Sequence, residues 1–152
     1  MARFEVTHNK AGINTANSPM WQFKTAAGSR ARIFEIALSV AGTTAPTNGP
    51  GWRLVRAATV GTSSATVTAE EQDPGGGAAT AVLDTTWSSA PTLASVNMRL
   101  YQTPNTLGSG IVWTWPDHRP LIVPLSSGVV IVNANAAGAA LGTFNCSIVY
   151  EE

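Results

Sequence analysis

Charge is what this chain has least of. Only 12% of its 152 residues are Asp, Glu, Lys or Arg, against roughly 25% in ordinary globular proteins. Lys+Arg and Asp+Glu number 9 each, so the formal charges cancel. No basic patch or stripe accumulates, and that removes the electrostatic footprint of a nucleic-acid binder and of a membrane-surface helix. Cys146 is the single cysteine, which excludes an internal disulfide. Two histidines, His8 and His118, are too few for a multi-histidine zinc centre. No run approaches the ~18 apolar residues of a membrane span. The opening MARFEVTHNK lacks the apolar core of a signal peptide, so the expectation is synthesis in a cytoplasm without export by the standard route. Helical patterning is missing too: no window carries a capped apolar stripe at 3.6 spacing.

What remains is apolar enough to fold. Hydrophobic residues make up 44% of the chain, and the length suits one domain with a real core. A neutral, charge-poor surface lowers solubility. A chain that works inside an assembly tolerates this better than a free monomer.

The apolar residues recur with period two almost everywhere. Phe4 and Val6 share one side of Ala2–Thr7. Trp21 and Phe23 share one side of Met20–Thr25. Phe34, Ile36, Leu38 and Val40 align along Arg32–Val40. Trp52 and Leu54 align in Gly51–Val60. Ser64–Ala69 is a further short strand. Val96, Met98 and Leu100 oppose Asn97, Arg99 and Tyr101 in Ala94–Gln102. Ile111, Trp113 and Trp115 follow in Gly110–Trp115, then Leu121–Val123, Val129–Asn133 and Thr143–Glu151. This gives about ten short strands separated by turn residues. The expectation is an all-β fold, a single antiparallel β-sandwich or jelly roll over residues 1–152 with long Gly/Thr/Ala-rich loops.

Three stretches invite a chemical reading. Glu70-Glu71-Gln72-Asp73-Pro74-Gly75-Gly76-Gly77 gathers acids and glycines. It lacks the ligand spacing of a calcium loop and the Lys-Ser/Thr of a phosphate loop. It is expected to be a solvated connector that holds no metal. Asp117 and His118 lie between Pro116 and Pro120, with Ser126 and Ser127 downstream. Adjacent residues at a turn tip do not make a base and its orienter. Cys146 shares the face of Phe144, Ile148 and Tyr150, as a small buried hydrophobe does. No catalytic, cofactor-binding or metal-ligating residue is therefore assigned, and no enzyme is expected. Trp21, Trp113 and Trp115 read as packing residues. Trp52 and Trp87 are the two whose exposure would favour a sugar platform.

Several segments resemble a family of small proteins from actinobacterial tailed phages and prophages. They are Met1-Ala2-Arg3-Phe4, Arg32-Ile33-Phe34-Glu35-Ile36, Asp73-Pro74, Thr86-Trp87-Ser88-Ser89-Ala90-Pro91, Gly110-Ile111-Val112-Trp113-Thr114-Trp115-Pro116, Leu121-Ile122-Val123-Pro124 and Ile148-Val149-Tyr150-Glu151-Glu152. That family resembles minor capsid, or decoration, proteins on the outside of the head shell. The resemblance implies a structural virion protein on the capsid outer surface, with the major capsid protein of a phage head as partner. It implies no catalytic residues. Low charge points to self-association, expected as a homotrimer, with Trp113–Trp115 and Val129–Val132 as contact segments because both their faces are apolar. Met1–Val6 is a candidate arm that adds a strand to a neighbour. Ile148–Glu152 is a second, though its alternation fits an internal strand first. No nucleic acid, membrane or cofactor is expected. Two readings compete: a tail or baseplate module that grips host receptors or glycans, and a jelly-roll hydrolase or cupin-like metal enzyme, against which two histidines and the lack of a carboxylate pair on one strand argue.

Overall fold

Alternating apolar residues can bury only one face of a strand, so the strands must stack as layers. In a computed structural model, which describes residues 2–13, 15–72, 75, 77–135 and 142–152, they do so as two antiparallel sheets with no helix among those residues. The strands are β1 (Arg3–Ala11), β2 (Ser18–Lys24), β3 (Ala31–Ala41), β4 (Gly51–Thr59), β5 (Thr62–Thr68) and β6 (Glu70–Glu71). They continue with β7 (Val82–Ser89), β8 (Thr92–Gln102), β9 (Gly110–Thr114), β10 (Leu121–Val123), β11 (Gly128–Asn133) and β12 (Thr143–Glu151). Sheet A runs β10-β3-β12-β1-β6, with β9 also on β3; sheet B runs β5-β7-β2-β11-β4-β8.

Strands β9 and β10 occupy successive lengths of the same edge of β3: Gly110 pairs with Ser39, Thr114 with Glu35, Leu121 with Ile33 and Val123 with Ala31. They behave as one edge strand interrupted by residues 115–120. With β5–β7 set aside, the first, last, third and sixth strands form one sheet and the second, seventh, fourth and fifth form the other. That is jelly-roll order. The expected β-sandwich is therefore present.

Aromatic rings fill the space between the sheets. Tyr150 on β12 stacks on Phe4 at 5.5 Å and meets Phe23 of the opposite sheet edge-on at 4.7 Å. Trp52 on β4 meets Phe144 on β12 edge-on at 5.0 Å and lies 6.2 Å from Trp21. The Phe23–Tyr150 and Trp52–Phe144 contacts cross from sheet to sheet, and each ring pair adds about 0.5–1.5 kcal/mol beyond the area it buries. The phase of β3 departs from its sequence pattern. A register shift between Val149 and Tyr150 leaves Phe34 without a partner on β12. Ile33, not Phe34, joins Ile36, Leu38 and Val40 in the core. Phe34 lies under the guanidinium of Arg3, 4.9 Å from its ring centre.

Strand β11 is buried at every residue. Its inner residues, Val129 and Ile131, belong to the main core, and its outer ones, Val130 and Val132, form a second cluster with Val55, Ala57 and Leu93. The cover over that outer face is a two-stranded ribbon. Chain 51–59 pairs with 92–102 and chain 62–68 pairs with 82–89, so the two segments run together through both strand pairs. One end of the ribbon joins β11 through β4 and the other joins β2 through β7. Between them the ribbon crosses the outside of sheet B. The Gly61 N–H donates to Gln22 Oε1 at 3.1 Å, and Gln22 faces outward because its neighbours Trp21 and Phe23 face the core. Val129–Val132 is thus buried within the chain. Its two apolar faces reflect two internal clusters, which corrects its expected role as a subunit contact. Trp113 is buried as well.

The strand ends correct two further expectations. Within Met1–Val6, Met1 lies outside the described residues, and Arg3–Val6 is no free arm. β1 pairs with β12 from Arg3↔Glu151 to Ala11↔Thr143, and with β6 on its other side. Ile148–Glu151 lies in β12, between β1 and β3, in keeping with an internal strand.

Gly61 provides a test of the ribbon. A Cβ there would stand 2.7 Å from Trp87 Cδ1 and 2.8 Å from Pro91 Cδ. Gly61→Ala should lower stability by about 1–3 kcal/mol through overpacking, measured by urea unfolding. Gly28→Ala, with nothing within 4 Å of its Cβ, should stay close to the parent. Equal stabilities would refute the packed crossing.

Candidate functional site

The chemically suggestive stretches do not converge. Asp117 and His118 are exposed in the excursion between β9 and β10. That turn is closed by its own backbone, with the Arg119 N–H donating to Pro116 O at 2.8 Å. No hydrogen bond links His118 to Asp117, Ser126 or Ser127 among the described residues. His8 is on β1 and accepts the Trp21 indole N–H at Nδ1, 3.1 Å away. That bond places the ring proton on Nε2, and burial with the nearby Lys10 cation lowers the imidazole pKa. Cys146 is buried and its thiol is pushed far up by desolvation, so it carries no thiolate. Among the described residues, no group of three or more His, Cys, Asp or Glu is placed to hold a metal.

The acidic run is less of a loop than its composition implies. Glu70 and Glu71 form β6 and pair with Glu5 and Phe4. The Gln72 N–H continues the ladder to Arg3 O at 2.8 Å, and its side-chain amide donates to Glu5 at 3.1 Å. Asp73, Pro74 and Gly76 lie outside the described residues. The correction has a physical cause: the exposed edge of β1 offers unpaired backbone groups, and this segment satisfies them.

The tryptophans are also committed. Trp21, Trp52 and Trp113 are buried. Trp115 packs against the core beneath the Arg99 guanidinium, 5.5 Å from its ring centre. Trp87 is half-buried, packs on Gly61 and carries the Lys10 ammonium 5.1 Å from its ring centre. None of the five offers an open aromatic platform.

A polar cluster sits under the ribbon. Asp84 and Gln22 are cross-strand partners, and both are fully buried. Lys24 reaches Asp84 at 2.8 Å from a partly solvated position. Burial raises the Asp84 carboxyl, while Lys24, Ser63 and Trp87 pull it down. Lys10 donates to Met20 O at 3.0 Å and to Thr85 O, and burial lowers its ammonium pKa. With Gln22 and Asp84 closed off from solvent, this cluster anchors the ribbon.

The surfaces left uncovered lie elsewhere. β8 and the β9–β10 edge form one flank, joined by the Arg99–Trp115 contact and by Arg56 Nη1 donating to Ile122 O at 2.6 Å. Along β8, Val96 is 72% exposed, Leu100 64% and Tyr101 46%; Val112 on β9 is 53% exposed. This strand carries one charge, Arg99, and it is spent on Trp115. Beside the flank, the outer face of sheet A holds a groove of about 750 Å³. Its floor is two cross-strand rows, Thr7–Ser147–Ala37–Val112 and Asn9–Asn145–Ser39–Gly110. Neither row contains a charge. The sequence alternation of Val96, Met98 and Leu100 resembled a buried face, yet Val96 and Leu100 are exposed. No protein-family model matches the chain, and no curated protein or solved structure matches it.

Two measurements follow from the buried groups. A carboxyl raised in the folded state favours folding while protonated. That contribution is present below the unfolded value, about 4, and is lost as pH rises through the raised folded value. Asp84→Asn should therefore melt no lower than the parent at pH 7, with the comparison moving toward the parent near pH 4. A variant that melts far below the parent at pH 7 would show that the Lys24 attraction outweighs burial. Cys146 should react with a thiol reagent only after denaturation. Stoichiometric labelling of the native protein would contradict its burial.

Proposed function

We propose that the chain is a structural virion protein, a decoration or cement protein on the outer surface of a tailed-phage head. Its partner is the major capsid protein, and it self-associates as a trimer. One observation carries the reading: on a neutral scaffold the chain leaves large apolar side chains exposed along edge strand β8 and two rows of uncharged residues exposed on the outer face of sheet A. Such surfaces suit a protein that works in an assembly. The segment resemblances to phage minor capsid proteins agree with this. Jelly rolls serve viral capsids and lectins alike, so the fold alone supports both classes. The glycan-binding reading has lost its aromatic platform, because all five tryptophans are engaged within the chain.

The shell contact is assigned to the loops at one end of the sandwich. Residues 42–50 and 103–108 brace each other: Asn105 Nδ2 donates to Thr47 O at 3.3 Å, and the Thr103 N–H donates to Pro50 O at 3.0 Å. Rigid loops lose little entropy on docking. Many copies on one lattice link neighbouring capsomers, so the shell opens at a higher temperature.

The test adds purified protein to heads assembled without it. Co-sedimentation with mature heads and a higher temperature of DNA release are expected. Heads that bind no protein, or that release DNA at an unchanged temperature, would end the cement reading. Binding to tails or host envelopes alone would favour a receptor-binding module.

A further inference from the structure

We propose that the hydrogen bond between Trp21 and His8 is an acid-sensitive latch between the two sheets: neutral His8 keeps it closed, and protonation of the ring opens it. The proposal does not depend on the virion reading.

His8 and Lys10 continue the inward side of β1 set by Phe4 and Val6. Both reach across to sheet B. The Trp21 indole N–H donates to His8 Nδ1 at 3.1 Å. Lys10 Nζ donates to the neighbouring Met20 O at 3.0 Å and to Thr85 O on β7. Successive residues of β2 are thus held by alternate residues of β1.

The latch depends on one lone pair. Trp21 is fully buried, and an indole has a donor but no acceptor. Imidazolium carries a proton on both nitrogens. Protonation at Nδ1 therefore sets two donors against each other and leaves a buried N–H without an acceptor, which is costly. His8 is half-buried, open enough to exchange a proton with solvent. Lys10 gives no relief. Its ammonium is fixed on two carbonyls and lies 5.1 Å from the Trp87 ring centre, so protonation adds a second positive charge beside the first.

Groups on the other strands do not offset that charge. Among the described residues, no ion pair or hydrogen bond brings a carboxylate to His8. On β12, Cys146 is its cross-strand partner, and Tyr150 lies farther along the same side; burial pushes both up, so both stay neutral. β5 contains no titratable residue. On β2 and β7, Lys24 and Asp84 pair with each other on the outer side of sheet B, since Trp21 and Phe23 take the inner side. Glu71 on β6 stands beside Phe4, farther back along β1. Burial first, and the Lys10 cation second, hold the imidazole below its ordinary value. Such a group contributes stability that is complete above the unfolded value of about 6.5. The contribution is lost as pH falls through the lowered folded value. Opening the latch loosens Trp21, whose ring lies 6.2 Å from that of Trp52.

The experiment compares the full chain with His8→Gln and His118→Gln. Glutamine accepts the indole bond without titrating, and His118 is exposed on the β9–β10 turn, apart from the latch. Melting temperature is followed as the pH is lowered from neutral. Below about pH 6.5, the parent and His118→Gln should lose about 2–4 °C more than His8→Gln. In heteronuclear NMR of the parent, the Trp21 indole N–H signal, assigned with Trp21→Phe, should move with the midpoint of the His8 ring. That midpoint should lie below about 6.5. Overlapping melting profiles for the parent and His8→Gln overturn the latch. So does a Trp21 signal that stays fixed while His8 titrates, or a higher His8 midpoint. If His8→Gln does not fold, the NMR titration of the parent decides alone.

Discussion

Strand β11 must be covered on both faces, and much of the molecule follows from that constraint. An apolar strand in a two-layer sandwich has one face in the core and one toward water. Here the second face carries Val130 and Val132, and burying each valine contributes about 1.5–3 kcal/mol. The ribbon of β4–β5 and β7–β8 provides the cover. It explains why β5 and β7 add strands beyond β2, why Gln22 and Asp84 are buried polar residues, and why Gly61 has no room for a side chain. It also couples the second cluster to the first, since β2 and β11 carry both.

The strand pattern was legible because most strands have one buried face. Leu121–Val123 and Thr143–Glu151 coincide with β10 and β12, and most other limits agree to within a few residues. The exceptions share a physical cause: each depends on a partner remote in sequence. Val82–Ser89 escaped notice because Asp84 makes a buried strand look polar. Phe34 looked like a core residue until a bulge shifted the phase. Val129–Val132 looked like an interface because its cover lies more than thirty residues upstream. Glu70–Glu71 looked like a loop because pairing with β1 is invisible in composition.

The candidate surfaces were harder to read than the fold. Alternation in β8 says that the strand has two sides, but not that both β8 and the β9–β10 edge end their sheets. The groove rows exist only after β1, β12, β3 and β9 are placed side by side. Residues as plain as Thr7, Ala37 and Ser147 have no signal of their own. They become a site through register, where the absence of charge in one row coincides with its absence in the next.

The position of β12 has a consequence for how the chain acquires its structure. Thr143–Glu151 lies between β1 and β3 and pairs along nearly the whole length of both. While the ribosome is still making earlier residues, those two strands have no common neighbour, and Tyr150 and Phe144 are absent from the gap between the layers. Sheet A can therefore close only after the last strand emerges, and it does so through contacts of great sequence separation. Such contacts make folding slow. During that interval the apolar sides of β1 and β3 are open to other nascent chains. A cell making many copies at once would have to keep them apart until residue 151 is in place.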